Sequence, residues 1–203
     1  MPHSPFSHIS LIADPIHEYI QFTVPSEKTS STESTEKDLI DSPWVQRLRY
    51  IYQLQSARWV YPSAEHSRFQ HSLGAMHLAG RYAKHVYPSL ANTVREVPSL
   101  PYVEEMLRIT ALLHDIGHGP FCHFFAHHVL KPFAISHEQV GQTIIRQELG
   151  DLIRKLKRSP SGNFSPDETL DPEDIAFLIL KDPHKKSHQY PRWLQLLQPL
   201  IGG

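Results

Sequence analysis

From Arg68 to Tyr87 the apolar positions Phe69, Leu73, Met76, Gly80, Ala83 and Tyr87 recur at the spacing of one helix face. A neighbouring face, Ala75, Leu78 and Tyr82, is also apolar, which predicts a central, buried helix. A second helical period runs from Tyr102 to Ile116 through Met106, Ile109, Leu112 and Leu113, and Gly117, Gly119 and Pro120 stop it. Upstream, Asp41 or Ser42 reads as an N-cap with Pro43 at the first helical position, followed by Trp44, Leu48, Ile51 and Leu54. Shorter helices are predicted over Phe121–Leu130, Ser136–Leu149, Pro172–Leu180 and Pro191–Leu197. Pro88–Pro101 holds three prolines and reads as a loop, and Ser159–Pro172 as a Ser/Pro-rich connector. Ile9–Val24 mixes β-branched and aromatic residues around an Asp-Pro break, as a short strand or extended arm would. Pro25–Asp38 has no large apolar residue and reads as a solvated connector. The expected fold is an all-α helical bundle with a short extended N-terminal arm. Its parts are the arm over 1–24, a flexible Ser/Thr/Glu-rich insert over 25–37, and a helical domain over 38–203.

Composition narrows the function without naming it. The 203 residues are 40% apolar and 20% charged, enough for a core. Twenty Lys and Arg stand against twenty-one Asp and Glu, so gripping nucleic acid by its phosphates is not the expected main task. A small anionic ligand needs only a local cluster of cations and stays open. Cys122 is the only cysteine; it excludes an intramolecular disulfide and a Cys-based zinc site, and reads as a small buried hydrophobe. No apolar run reaches the ~18 residues of a membrane span, and Met1–Ser10 lacks the basic and apolar pattern of a secretory signal. A cytoplasmic location with no membrane partner is expected. Fifteen residues are histidine, ten of them between His66 and His137. Imidazole is the commonest metal ligand and the usual proton carrier near neutral pH, so the clustering points to a site.

The sharpest motif is LLHDIGHGP, Leu112–Pro120. An aspartate at the end of an apolar helix is costly unless paired or bound to a cation. Adjacent His114 and Asp115 point about 100° apart on a helix, so they can serve one ion only near the helix end. Imidazole nitrogen with carboxylate oxygen suits a borderline or hard divalent ion, Mn, Fe, Zn or Mg. His66 and His71 enter the long helix upstream, and His137-Glu138 follow on a later one, as a metal site inside a helical bundle requires.

In order along the chain, DPIHEYI (Asp14–Ile20), DLIDSPWVQRLRYIYQL (Asp38–Leu54), VYPSAEHSRFQHSLGAMHLA (Val60–Ala79), ALLHDIGHGPFCHFF (Ala111–Phe125) and SHEQVG (Ser136–Gly141) resemble the HD superfamily of metal-dependent phosphohydrolases, in particular its deoxynucleoside-triphosphate triphosphohydrolase-like branch. The resemblance implies an HD-domain bundle with His71, His114 and Asp115 as metal ligands. A fourth ligand, an Asp from a later helix, has no match here. Asp171, Asp174 and Asp182 come too early, and PLIGG (Pro199–Gly203) reads as the lead-in to that segment, so the domain is expected to lack its C-terminal part. The resemblance also implies that Arg68 meets phosphate, that Gln53 meets the nucleoside, and that His118, His123 and His137 face the reacting phosphate. Glu138 would orient one of these histidines.

The implied activity is metal-dependent hydrolysis of a nucleotide, with a divalent cation as cofactor and a homo-oligomer as a possible assembly. A monophosphate, a cyclic nucleotide or an alarmone is the alternative substrate. A degenerate HD domain that binds nucleotide or a partner without turnover is the alternative of another class. Blander readings make His118 a helix-end residue favoured by the dipole and His137 an N-terminal helix residue. Arg47 and Arg49 read as anchors through ion pairs, or as part of a regulatory nucleotide site.

Overall fold

A computed structural model describes residues 8–27, 29–180 and 189–201. Asp182, Gly202, Gly203 and the first seven residues, on which parts of the sequence reading fell, lie outside the described residues. The chain is mostly helical, with two small two-stranded sheets among the described residues.

The N-terminal arm is a hairpin instead of a lone strand. Strand β1 (Ile9–Asp14) pairs antiparallel with β2 (Glu18–Thr23), Ile9 opposite Thr23 and Asp14 opposite Glu18. Asp14 closes the turn by accepting from the backbone N–H groups of Ile16 and His17, at 2.9 and 2.8 Å. Ile20 and Phe22 alternate inward onto the helices while Tyr19 and Gln21 face out.

The connector after the hairpin is only partly solvated. Its end folds into α1 (Glu36–Ile40), opened by a Thr35/Asp38 capping box. Glu36 is fully buried; its carboxylate accepts from Thr23 N at 2.7 Å and from Arg108 Nε at 2.6 Å. Local composition could not announce this, because the compensating cation lies 72 residues away. Helix α2 (Pro43–Gln46) starts as predicted, with Ser42 as N-cap and Pro43 behind it. It tightens into a 3-10 turn over Arg47–Tyr50, and the chain goes extended at Ile51, whose carbonyl accepts from Arg68 N at 2.8 Å. Leu54 therefore falls outside the helix its spacing suggested.

Helix α3 (Arg68–Thr93) packs along α4 (Leu100–Leu113), and Met76, Met106, Ile109 and Leu112 are fully buried in the core they share. The predicted loop from Pro88 to Pro101 shrinks from both sides. Pro88 sits inside α3, where its fixed φ is tolerated at the loss of one hydrogen bond, and Pro101 occupies the first turn of α4 behind the N-cap Ser99.

After α4 come the three-residue α5 (His123–Phe125), a wide turn over Ala126–Leu130, and α6 (His137–Gln147) with a Ser136/Gln139 capping box. The helices expected over Phe121–Leu130 and Ser136–Leu149 are thus shorter and less regular. Helix α7 (Gly150–Arg154) follows. The Ser/Pro connector contains a tiny hairpin, β3 (Arg158–Ser159) with β4 (Gly162–Asn163), which the sequence reading missed. Helices α8 (Pro172–Leu178) and α9 (Arg192–Leu197) complete the bundle. No helix among the described residues is long and apolar enough to cross a membrane.

Candidate metal centre and anion pocket

The pocket is assembled from the start of α3, the end of α4 and the start of α6. Ser67 caps α3 through its box with Gln70, and the Arg68 backbone donates to Ile51, so Arg68 and His71 enter the interior on the first helical turn. His114 is the C-cap of α4, still in helical geometry, and Asp115 begins the turn that follows. Glycine is required at position 117: a Cβ there would stand 1.8 Å from the His137 carbonyl oxygen and 2.5 Å from the Gly141 nitrogen. The turn after His114-Asp115 and the first turn of α6 thus touch backbone to backbone, which brings His137 to the site.

His71 Nε2 lies 3.1 Å from His114 Nε2 and 3.6 Å from Asp115 Oδ2, and His114 Nε2 is 3.5 Å from the same oxygen. A tetrahedral site with bonds of ~2.1 Å separates its ligand atoms by about 3.4 Å, so the three donors fit one small cation. The His114 tautomer agrees. Its Nδ1 is 2.7 Å from the Ala111 carbonyl, which can only accept, so Nδ1 carries a proton and, in the neutral ring, Nε2 presents the lone pair. Burial acts to raise the Asp115 carboxyl, but His114 and Arg68 beside it outweigh this and hold it below its ordinary value. Burial and His114 push His71 down, towards the neutral form that ligates. Arg68 also pairs with Asp115 through Nη1.

Next to this group His118, His123 and His137 bring ring nitrogens within 4.8 Å of one another. The rings of His118 and His137 stand 4.0 Å apart, and Glu138 Oε1 is 3.1 Å from His137 Nε2. Burial, partly opposed by Asp115, pushes His118 down to about 3, so it is neutral at pH 7. His118 Nδ1 faces two acceptors on Asp115, the backbone oxygen at 3.3 Å and Oδ1 at 3.4 Å, while its Nε2 is buried without a partner.

All eight residues singled out in the sequence, Gln53, Arg68, His71, His114, Asp115, His118, His123 and His137, line one cavity of about 250 Å³. The Gln53 Oε1 is buried there without a hydrogen-bond partner. A larger hollow of about 460 Å³ lies alongside, sharing His114 and Ile201, but Ala75, Leu78, Ala79 and Leu107 make it apolar. The histidines, Arg68 and Asp115 converge on the smaller one. Asp171 and Asp174 do not line that cavity.

Three features were not legible in advance. Arg47 forms no ion pair among the described residues; it donates to the carbonyls of His118, at 2.8 Å, and Ile116, and so ties down the turn that carries the His-Asp pair. Arg49 stacks on Phe69, its guanidinium carbon 3.7 Å from the ring centroid. Cys122 is buried, but it is more than a hydrophobe, because Arg68 Nε donates to its sulfur at 3.0 Å. From sequence these arginines read as ion-pair anchors or a nucleotide site, and the lone cysteine as a small buried hydrophobe. Only the tertiary partners reveal otherwise.

Comparison with known proteins shows the family. The family model described as HD domain matches residues 68–193. The chain belongs to the HD-domain family. The uncharacterized protein YwfO of Bacillus subtilis is 33% identical over 89% of this chain and 35% of its own length. The deoxynucleoside triphosphate triphosphohydrolase SAMHD1 of Bos taurus is 38% identical over 58% of this chain and 18% of its own. Among solved structures, a hypothetical protein from Aquifex aeolicus superposes with a TM-score of 0.62 at 28% identity, covering 96% of this chain and 42% of that one. A phosphohydrolase from Bacteroides thetaiotaomicron gives 0.53 at 30% identity, covering 71% and 32%. This HD domain spans well under half the length of each of these relatives.

Proposed function

We propose that this HD domain is a metal-dependent phosphohydrolase of nucleotides, with a deoxynucleoside triphosphate as the favoured substrate. The observation that carries the reading is the convergence of His71, His114 and Asp115 at cation-ligand spacing, beside a buried arginine and three further histidines. A divalent cation held by the three ligands would supply Lewis acidity to a phosphoryl group. Arg68 offers paired donors to phosphate oxygens and neutralises the charge that builds on them. His123 and His137 would hydrogen-bond the phosphate and protonate the leaving oxygen. His118 fits an acceptor's role better than a donor's, since Asp115 claims its Nδ1 proton and leaves Nε2 with a lone pair. The buried Gln53 oxygen suits a donor on the nucleoside. With a triphosphate substrate, the oxygen of a water bonds to the α-phosphorus as the bond from that phosphorus to the 5′-oxygen breaks, releasing nucleoside and inorganic triphosphate. A proton supplied by a histidine goes to the 5′-oxygen, and the water gives one proton back to the site. Support for this substrate class comes from the SAMHD1 relatives named for that activity, at moderate identity over part of their length.

The test is to load the full chain with Mn²⁺, incubate it with each deoxynucleoside triphosphate, and separate the products by anion-exchange chromatography. Triphosphate should appear in proportion to protein and vanish in His114→Ala. A metal-loaded chain that releases no phosphate product from any nucleotide would overturn the enzymatic reading. A second reading, nucleotide binding without turnover, draws on the fact that three ligands and not four converge among the described residues. It predicts calorimetric binding of the same nucleotides with no product.

A further inference from the structure

We propose that Cys122 is a positioning residue for Arg68, its thiol setting the plane in which the guanidinium meets phosphate. This rests on the reading above that Arg68 contacts phosphate. Cys122 is 1% exposed, so its sulfur has no access to water. It lies 3.2 Å from the Tyr52 carbonyl oxygen and 3.0 Å from Arg68 Nε. A carbonyl only accepts, so the S–H donates to Tyr52, and the sulfur lone pairs are left to receive the Arg68 N–H. The thiol is therefore an oriented relay between a backbone carbonyl and a cation.

Nε is the donor nearest the stem, and holding it fixes rotation of the whole planar fork. One terminal nitrogen of that fork, Nη1, sits on Asp115. A cation held by His71, His114 and Asp115 would draw on the same carboxylate, whose Oδ2 is the atom nearest His71 and His114. Once that contact weakens, the sulfur remains to hold the guanidinium towards the cavity. Backbone geometry points the same way. Phe121 and Cys122 both have positive φ, 59° and 51°, a region that residues with a Cβ rarely adopt. The turn leaves the large Phe121 ring 67% exposed and directs the small thiol inward.

The experiment measures binding of inorganic triphosphate to the Mn²⁺-loaded full chain by calorimetry. Cys122→Ala should weaken it about tenfold, the scale of one lost hydrogen bond to a charged group, with Mn²⁺ affinity unchanged. Cys122→Ser keeps a donor and an acceptor and should stay within about threefold. Lysine has no Nε donor on its stem, so in an Arg68→Lys background Cys122→Ala should add less than about twofold. Full additivity of the two changes would overturn the proposal. So would an unaltered triphosphate affinity in Cys122→Ala while Arg68→Ala weakens it. If Arg68→Ala itself has no effect, the phosphate reading fails instead. Should Cys122→Ala not fold, the chain's single cysteine gives a second measurement. Its lone S–H stretching band in the infrared should shift in Arg68→Lys, and an unmoved band would sink the proposal.

Discussion

Helix α4 carries two buried polar groups, and they are built on opposite principles. In its middle, Arg108 donates to the Glu36 carboxylate at 2.6 Å and to the Gln21 carbonyl at 2.7 Å. Glu104 accepts from Ser159 and pairs with Lys84, at 2.7 and 3.2 Å. Each cation meets an anion within the chain, and the hairpin, α1 and the β3 region are pinned to α4 as a result. At its end, His114 and Asp115 face His71 with three electron-pair donors aimed at one point. Complementary charges finish the first group, whereas in the second Arg68 meets Asp115 and the imidazole nitrogens still converge beside that carboxylate at cation-ligand spacing. Glu105 belongs to neither pattern: it is fully buried, and both carboxyl oxygens lack a partner. Burial, reinforced by Glu36, raises its carboxyl well above the ordinary value despite Arg108.

The largest expected effect separates the two groups outright. His114→Ala should lower metal retention after dialysis by more than about 100-fold, read by elemental analysis, and shift metal-free stability by under ~1 kcal/mol. Arg108→Met should do the reverse, since it leaves Glu36 buried and unpaired. Urea denaturation should show a loss of about 3–5 kcal/mol, with metal uptake by the folded fraction intact. The contrast breaks if Arg108→Met abolishes metal uptake without loss of stability.

A smaller effect tests the odd member. Glu105→Met removes two unsatisfied buried oxygens at similar volume and should stabilise by about 1–3 kcal/mol at pH 8. In the wild type the folded carboxyl keeps a proton that the unfolded chain releases, so stability falls as pH rises above the ordinary carboxylate range. Glu105→Met should flatten that fall, and an unchanged alkaline slope would refute the assignment. The last effect is the smallest near neutral pH and grows on the acid side. His118 titrates at about 3 when folded but near 6.5 unfolded, so between these values the unfolded chain binds more protons. Metal-free stability should drop by up to about 1.4 kcal/mol per pH unit as pH falls through that window, and His118→Gln should remove this share.

What could be read from the sequence depended on whether the partner was local. Helix periodicity and caps are local: Ser42-Pro43, Ser136 and the α3 stripe were found where the folded chain has them. The His71/His114-Asp115 set was legible as an ordered series of motifs, and the fold places those residues together. Long-range compensation was not legible. Glu36 looked solvated because Arg108 is far away in sequence, and Arg47 looked like an ion-pair residue because its carbonyl acceptors lie about 70 residues on. Pro88 looked like a helix stop, but packing against α4 outweighs one lost hydrogen bond.

The bare glycine contact at position 117 has a thermodynamic consequence. With no side chain between the turn and α6, the backbones that carry Asp115 and His137 lie in direct contact. A ligand bridging them would order side chains and leave the main chain as it is, so little conformational entropy is forfeited on binding. Association should then be quick and carry a modest heat-capacity change, in contrast to a site that must fold around its guest.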